Sequence, residues 1–297
     1  MKVLQVQTLG KLQVQFDSRV VTAFPTRHVE ELLGYFLLNQ HVRHRREKLI
    51  HILWPHCEPE KARGRFSTAL WRLRTLLDKL GAESEDYLQA TREWVAFVPK
   101  RSPHLDLHYF EVCLEQANAA ANDKVREQAL GEAIQTYKGE LYEGIYSDWC
   151  LVERERLARQ RLRALGQWMV CRVRRKAYEE AIELGQTILH EDPLREEVHR
   201  AVMYCYWRLG QRPQAVRQYQ LCAQGLMDEL QILPMPETIA MYRQIVDSRF
   251  TETVTCVDSP CLPRLKAAYA DFQHAAEALD ALLDEITRPA ASESAVA

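Results

Sequence analysis

The spacing of apolar residues changes character three times along this chain, and those changes constrain the fold more than any single motif does. In residues 3–7 (VLQVQ) and 12–16 (LQVQF) apolar and polar side chains mostly alternate, the pattern of strands with one buried face, with Gly10-Lys11 between them. Asp17-Ser18-Arg19 reads as a turn into a third short strand, Val20 to Ala23. From Thr26 the spacing becomes helical: Val29, Leu32, Leu33, Phe36 and Leu37 share one face of a segment ending near Asn39. Leu49, Ile50, Leu53 and Trp54 mark a short second helix stopped by Pro55, and Pro59 suits the first turn of a third. Past Gly81 alternation returns in Tyr87–Ala90 and Trp94–Val98, joined by Thr91-Arg92-Glu93. Beyond Asp106 strand signals vanish, and helical periodicity runs to about Asp247.

Strands, three helices, then a hairpin is the order of a winged helix-turn-helix, and the three leading strands narrow it to the OmpR-like variant. Its third helix, ARGRFSTALWRLRTLLDKL over 62–80, turns Phe66, Ala69, Leu70, Leu73, Leu77 and Leu80 to one face. Thr68, Trp71, Arg72, Thr75 and Lys79 fall opposite, with Arg65 and Arg74 on the flanks. Only Asp78 offers that face an acid, and a merely solvated face has no use for a Trp among arginines. The net charge of −2 conceals the asymmetry: residues 39–79 hold ten Lys/Arg and four acids, +6, so the remainder sums to −8. A local basic patch on an acidic chain is the footprint of a nucleic-acid-binding module.

In this fold the third helix enters the major groove and the wing touches neighbouring backbone. Arg65, Thr68 and Trp71 are expected at base edges, where Arg pairs with guanine and Trp packs on a thymine methyl or sugar. Arg72, Arg74 and Arg92 on the wing are expected at phosphates, as are Arg43, Arg45 and Arg46 leading into the second helix, whose N-terminal dipole also favours phosphate. Arg63, Ser67 and Thr75 complete the expected DNA-binding set. Two alternatives stay open: a salt bridge within the domain for Arg74, and a domain–domain contact for Trp71.

Other chemistry is weakly signalled. His41, His44, His51, His56 and Cys57 match no standard zinc spacing, and histidines on a phosphate-facing segment explain them more simply, so no metal is expected. Eight cysteines form no CxxC pair and read as reduced, packed thiols of a cytoplasmic protein; Cys256 and Cys261 are the closest two, with redox activity as the alternative to idle thiols. No stretch of 18 apolar residues exists and no apolar run follows Met1-Lys2, so no membrane span or secretory signal is expected. No nucleophile–base motif, phosphate loop or cofactor fingerprint points to an enzyme, and no cofactor is expected.

Lys100-Arg101-Ser102-Pro103 reads as a linker, giving a first domain at 1–100 and a helical one at 104–249. Within the second, Tyr178-Glu179-Glu180-Ala181-Ile182 recurs as Arg212-Pro213-Gln214-Ala215-Val216 at an offset of 34, the period of tetratricopeptide (TPR) repeats. An earlier unit, Ala129–Tyr137, is out of phase, consistent with a longer helix at about 147–175; an irregular helical bundle is the alternative to a repeat solenoid. Thr251–Pro263 reads as a second linker. Residues 264–287 place Leu265, Tyr269, Phe272, Ala276, Leu279, Leu283 and Ile286 on an amphipathic seam, a weak dimer contact or a fold-back, and 288–297 reads as a disordered tail.

Together these stretches resemble the SARP/AfsR-type bacterial transcriptional activators, which join an OmpR-like winged helix to an all-helical bacterial transcriptional activator domain. The matching residues in the first domain are Gly10, Glu31-Leu32-Leu33 to Leu38, Arg46-Glu47-Lys48-Leu49, Leu53-Trp54-Pro55, and Ala62-Arg63 through Leu70-Trp71-Arg72-Leu73-Arg74. In the second they are Asp106 with Phe110, Tyr137-Lys138-Gly139-Glu140-Leu141, Trp149-Cys150, Glu153 to Leu157, Asp192 to Glu196, Gly210-Gln211-Arg212, and Leu230 to Thr238. The match covers about residues 3–247. It implies a mainly α protein that binds double-stranded DNA at promoter repeats and recruits RNA polymerase, with the Pro55–Glu58 loop or the helical domain as the polymerase contact and a homodimer as one arrangement. Larger relatives add an ATPase, but no GxxxxGK[ST] occurs here, and no phosphoacceptor Asp of a receiver domain can be carried over. The competing reading is a TPR-like scaffold whose winged helix binds acidic protein partners instead of DNA.

Overall fold

In the computed structural model the described residues are 3–247. The expected second linker, the 264–287 seam, the tail and the Cys256/Cys261 pair lie outside them. Strands β1 (Leu4–Gln7), β2 (Gln13–Phe16) and β3 (Arg19–Val21) precede helix α1 (Arg27–Leu38). Then come β4 (Arg43–Arg45), α2 (Arg46–Leu53), α3 (Pro59–Leu80), the hairpin β5 (Leu88–Ala90) and β6 (Trp94–Phe97), and β7 (His104–Leu105). Seven helices follow: α4 (Asp106–Ala119), α5 (Asp123–Thr136), α6 (Asp148–Arg174), α7 (Tyr178–Glu191), α8 (Glu196–Arg208), α9 (Arg212–Leu230) and α10 (Pro236–Asp247). The protein is mainly α, a small-sheet winged helix followed by TPR-like helices. Among the described residues no helix is long and apolar enough to cross a membrane.

Two strands differ from expectation. The first sheet has the order β3-β2-β1-β7, with β7 parallel to β1 through Gln5↔His104 and Val6↔Leu105. The reach from Lys100 to Pro103 is therefore no free tether: the Lys100 amide donates to Asp86 O at 2.8 Å and β7 is hydrogen-bonded into the sheet. A two-residue parallel strand is too short to show alternation. The second sheet has the order β4-β6-β5, so Arg43–Arg45 is an edge strand, with Arg43↔Ala96 and Arg45↔Trp94 in register. His44 alone of the three turns inward, and one buried residue between two arginines gives no hydrophobic signal.

α3 buries the face that its apolar spacing defines, with Leu76 and Ala62 added, and ends where Gly81 takes a left-handed φ of +87° that a side chain would strain. One buried cluster runs from Leu4 and Leu12 through Phe36 and Leu70 to Leu141, Tyr142 and Leu157, so the winged helix and the first helices of the second half share a core. The segment after α5 completes the joint: Leu9 and Leu141 form an antiparallel bridge, the Gly10 amide donates to Glu140 O at 2.8 Å, and the Tyr142 amide to Thr8 O at 2.9 Å. Arg154, 11% exposed, holds that segment by donating to the carbonyls of Leu141, Tyr142 and Ile145 at 2.9–3.1 Å. Farther along, α7 and α9 start 34 residues apart. Gly185 lets α7 approach α8, since a Cβ there would stand 2.4 Å from Val202 Cγ2.

Candidate nucleic-acid interface

The interface builds outward from α3. Phe66, Leu70, Leu73 and Leu77 fix one side of this helix in the core, which forces the opposite side outward. Lys61, Arg65, Thr68 and Arg72 form one wall of an open groove. The other wall is His28 stacked flat on Trp54, ring centroids 4.7 Å apart at 9°. Arg65 is exposed, and among the described residues it makes no ion pair. Thr68 and Thr75 donate their hydroxyls to the carbonyls of Gly64 and Trp71, each at 3.0 Å, so each keeps its oxygen lone pairs for a ligand's donor. Ser67 is exposed on the flank.

Trp71 is 63% exposed, beside Val20, Val21 and Pro25 rather than any residue of the second half. Arg74 is half-buried, and among the described residues it forms no salt bridge. Arg63 behaves differently: its Nε donates to Glu47 Oε1 of α2 at 3.0 Å. Sequence reasoning missed that pairing because no spacing rule links residues 16 apart across the α2–α3 turn.

On the second sheet Arg45 is exposed, and Arg43 lies over the Trp94 ring at 4.7 Å. Arg46 is half-buried with its guanidinium 5.6 Å from the Phe66 ring centre, and its amide donates to Glu93 O at 2.9 Å. That amide, the first of α2, is therefore committed to the wing and not open to a phosphate. Thr91 Oγ1 accepts from the amides of Glu93 and Trp94 at 3.2 Å and fixes the turn, leaving Arg92 exposed at its tip.

The histidines do not converge. Among the described residues no group of three His, Cys, Asp or Glu is placed to hold a metal ion. His44 is 3% exposed, edge-on to Tyr35, and burial, with Lys48 nearby, holds its imidazole below the usual range. Cys57 is half-buried while Cys113, Cys150, Cys171, Cys205 and Cys222 are buried, and burial pushes the Cys205 and Cys222 thiols up to about 11.

Residues 105–246 match the family model of the bacterial transcriptional activator domain. The chain is 25% identical over 269 residues to the regulatory protein AfsR of Streptomyces coelicolor, a match covering 90% of this chain and 26% of that protein. The chain thus spans about a quarter of the length of that curated relative. Its fold is similar to that of Mycobacterium tuberculosis EmbR, solved in complex with a low-affinity phosphopeptide: TM-score 0.70 at 20% identity, covering 84% of this chain and 66% of that one.

Proposed function

We propose that this chain, a SARP-type transcriptional activator by its activator domain and the winged helix ahead of it, binds double-stranded DNA sequence-specifically through α3. One observation carries the reading: α3 is locked into the core along one face and presents Arg65, Thr68, Trp71 and Arg72 on the other, with a basic wing tip nearby. Arg65 and Thr68 read base edges in the major groove, with Trp71 packing on a thymine methyl or a sugar. Arg72, Arg74, Arg45 and Arg92 take phosphates. Arg43 and Arg46, already stacked on Trp94 and Phe66, brace the sheet and α2 behind that contact. Protomers sit on promoter repeats and recruit RNA polymerase through the Pro55–Glu58 loop or the helical half.

Selection of bound sequences from a random duplex pool by the purified protein, followed by salt titration of the winner, tests this. A repeated consensus with a steep salt slope is the expected result, and its half-site spacing gives the arrangement of protomers. Absence of enrichment, with only weak binding to any duplex, overturns it in favour of a protein-binding winged helix.

A further inference from the structure

Arg63, one of the α3 cations expected at DNA, is already occupied. Its guanidinium donates to Glu47 at 3.0 Å, and the two side chains are 59% and 66% exposed. A pair so exposed adds little to stability. Its chemistry is more telling, because a carboxylate offers a guanidinium the same paired acceptor oxygens that a phosphate does.

The other three acids of the 39–79 segment are placed differently. Glu58, the residue just ahead of α3, meets Lys61 in the first turn of that helix, at 2.6 Å, and Asp78 accepts from the Ser84 amide at 2.8 Å. Glu60 makes no ion pair among the described residues. Glu47 alone of the four reaches from another helix to a cation of α3.

We infer that Glu47 is a built-in competitor for DNA phosphate at Arg63, a residue that sets how tightly the protein holds DNA of any sequence; this rests on the DNA-binding reading above. In the free protein the carboxylate holds the guanidinium. A phosphate draws Arg63 away only by leaving Glu47 bare beside the duplex. The bare carboxylate then takes up a cation from solution and offsets one of those released from the DNA. Non-specific affinity thereby stays below what the cation count alone would give, and base reading by Arg65 and Thr68 keeps its share of the total.

The test is a double-mutant cycle on the full chain with a random-sequence duplex, each affinity measured across a salt series. Glu47→Gln is expected to steepen the salt slope by about 0.9, which is about eightfold tighter binding at about 0.1 M salt. In an Arg63→Gln background the same substitution has no guanidinium to release, so its gain is expected to be smaller. No gain from Glu47→Gln, or an equal gain in both backgrounds, overturns the proposal while salt-dependent binding by the wild type keeps the DNA reading. A wild type that binds no duplex in a salt-dependent way overturns both. All four proteins are checked for an unchanged melting curve, which the exposure of both side chains leads one to expect.

Discussion

The Tyr142 hydroxyl donates to the carbonyl oxygen of Gly34 at 3.1 Å, with both groups buried. This joins the segment after α5 to the middle of α1, the helix against which α3 packs. The ring lies so close that a Cβ on Gly34 would stand 3.2 Å from its Cε2 atom. Tyr142→Phe is expected to cost about 1 kcal/mol, the net worth of one buried hydrogen bond. Tyr142→Ala should cost about 3–5 kcal/mol, because it also opens a cavity beneath α1. Urea unfolding reads both; a Tyr142→Ala midpoint equal to that of Tyr142→Phe would show that the ring contributes no packing.

Asp106, the first residue of α4, ties that helix to the chain just after β1. Its Oδ1 accepts from the Thr8 amide at 2.7 Å, the Thr8 hydroxyl at 2.6 Å and the Leu107 amide at 2.8 Å, and its Oδ2 from the Leu9 amide at 3.1 Å. Asp106→Asn turns an amide NH2 toward one of these donors and should destabilise by about 1–3 kcal/mol. Because the winged helix and α4–α6 share a core, fluorescence and circular dichroism should report one coincident transition in the wild type. Two separated transitions would count against that shared core.

Within the DNA-binding reading, Arg65→Ala should cost about 1–3 kcal/mol at one base position and relax preference there, while Arg92→Ala weakens all sequences alike and lowers the salt slope by about 0.9. Competition binding against single-base variants of the selected site separates the two. Uniform loss from both substitutions would remove the division between base reading and phosphate contact.

His44 gives stability a pH dependence. Burial disfavours its charged form in the folded protein, with the Lys48 charge acting in the same direction and a hydrogen bond to the Asn39 backbone opposing. A base whose folded value is lowered contributes stability that is present above its unfolded value, 6.5, and lost as pH falls from there through the lowered folded value. Unfolding free energy should therefore fall as pH is lowered below about 6.5, and the drop should shrink in His44→Asn. An unchanged pH dependence in that variant would assign the effect elsewhere.

The Cys205 and Cys222 thiols titrate near 11 instead of 9.0, so they stay protonated at neutral pH, and the stability they lend is lost as pH rises from about 9 toward about 11. Alkylation mapped by mass spectrometry near pH 8 should spare both in the native protein and label both after denaturation. Native labelling of Cys205 at the rate of half-buried Cys57 would contradict its burial.

Local periodicity determined a good deal. The apolar stripe of 66, 70, 73 and 77 required α3 to bury one face and expose its arginines and Trp71, and the 34-residue recurrence fixed the interval between the starts of α7 and α9. Both are relations between residues on one helix or at one fixed offset, where geometry follows from spacing alone. Tertiary structure decided what depends on partners far apart in the chain. It gave β4 and β7 their places, because strands of three and two residues exist only through the neighbours they pair with. It drew Arg46 over Phe66 and committed the first α2 amide to the wing, and it set Glu47 against Arg63 across a helix corner. Above all it fused the two halves: Asp106 finds Thr8 across 98 residues and Tyr142 finds Gly34 across 108. Contacts at such separations are won by the shared burial of apolar surface and the need to satisfy buried polar groups, and no local pattern encodes them.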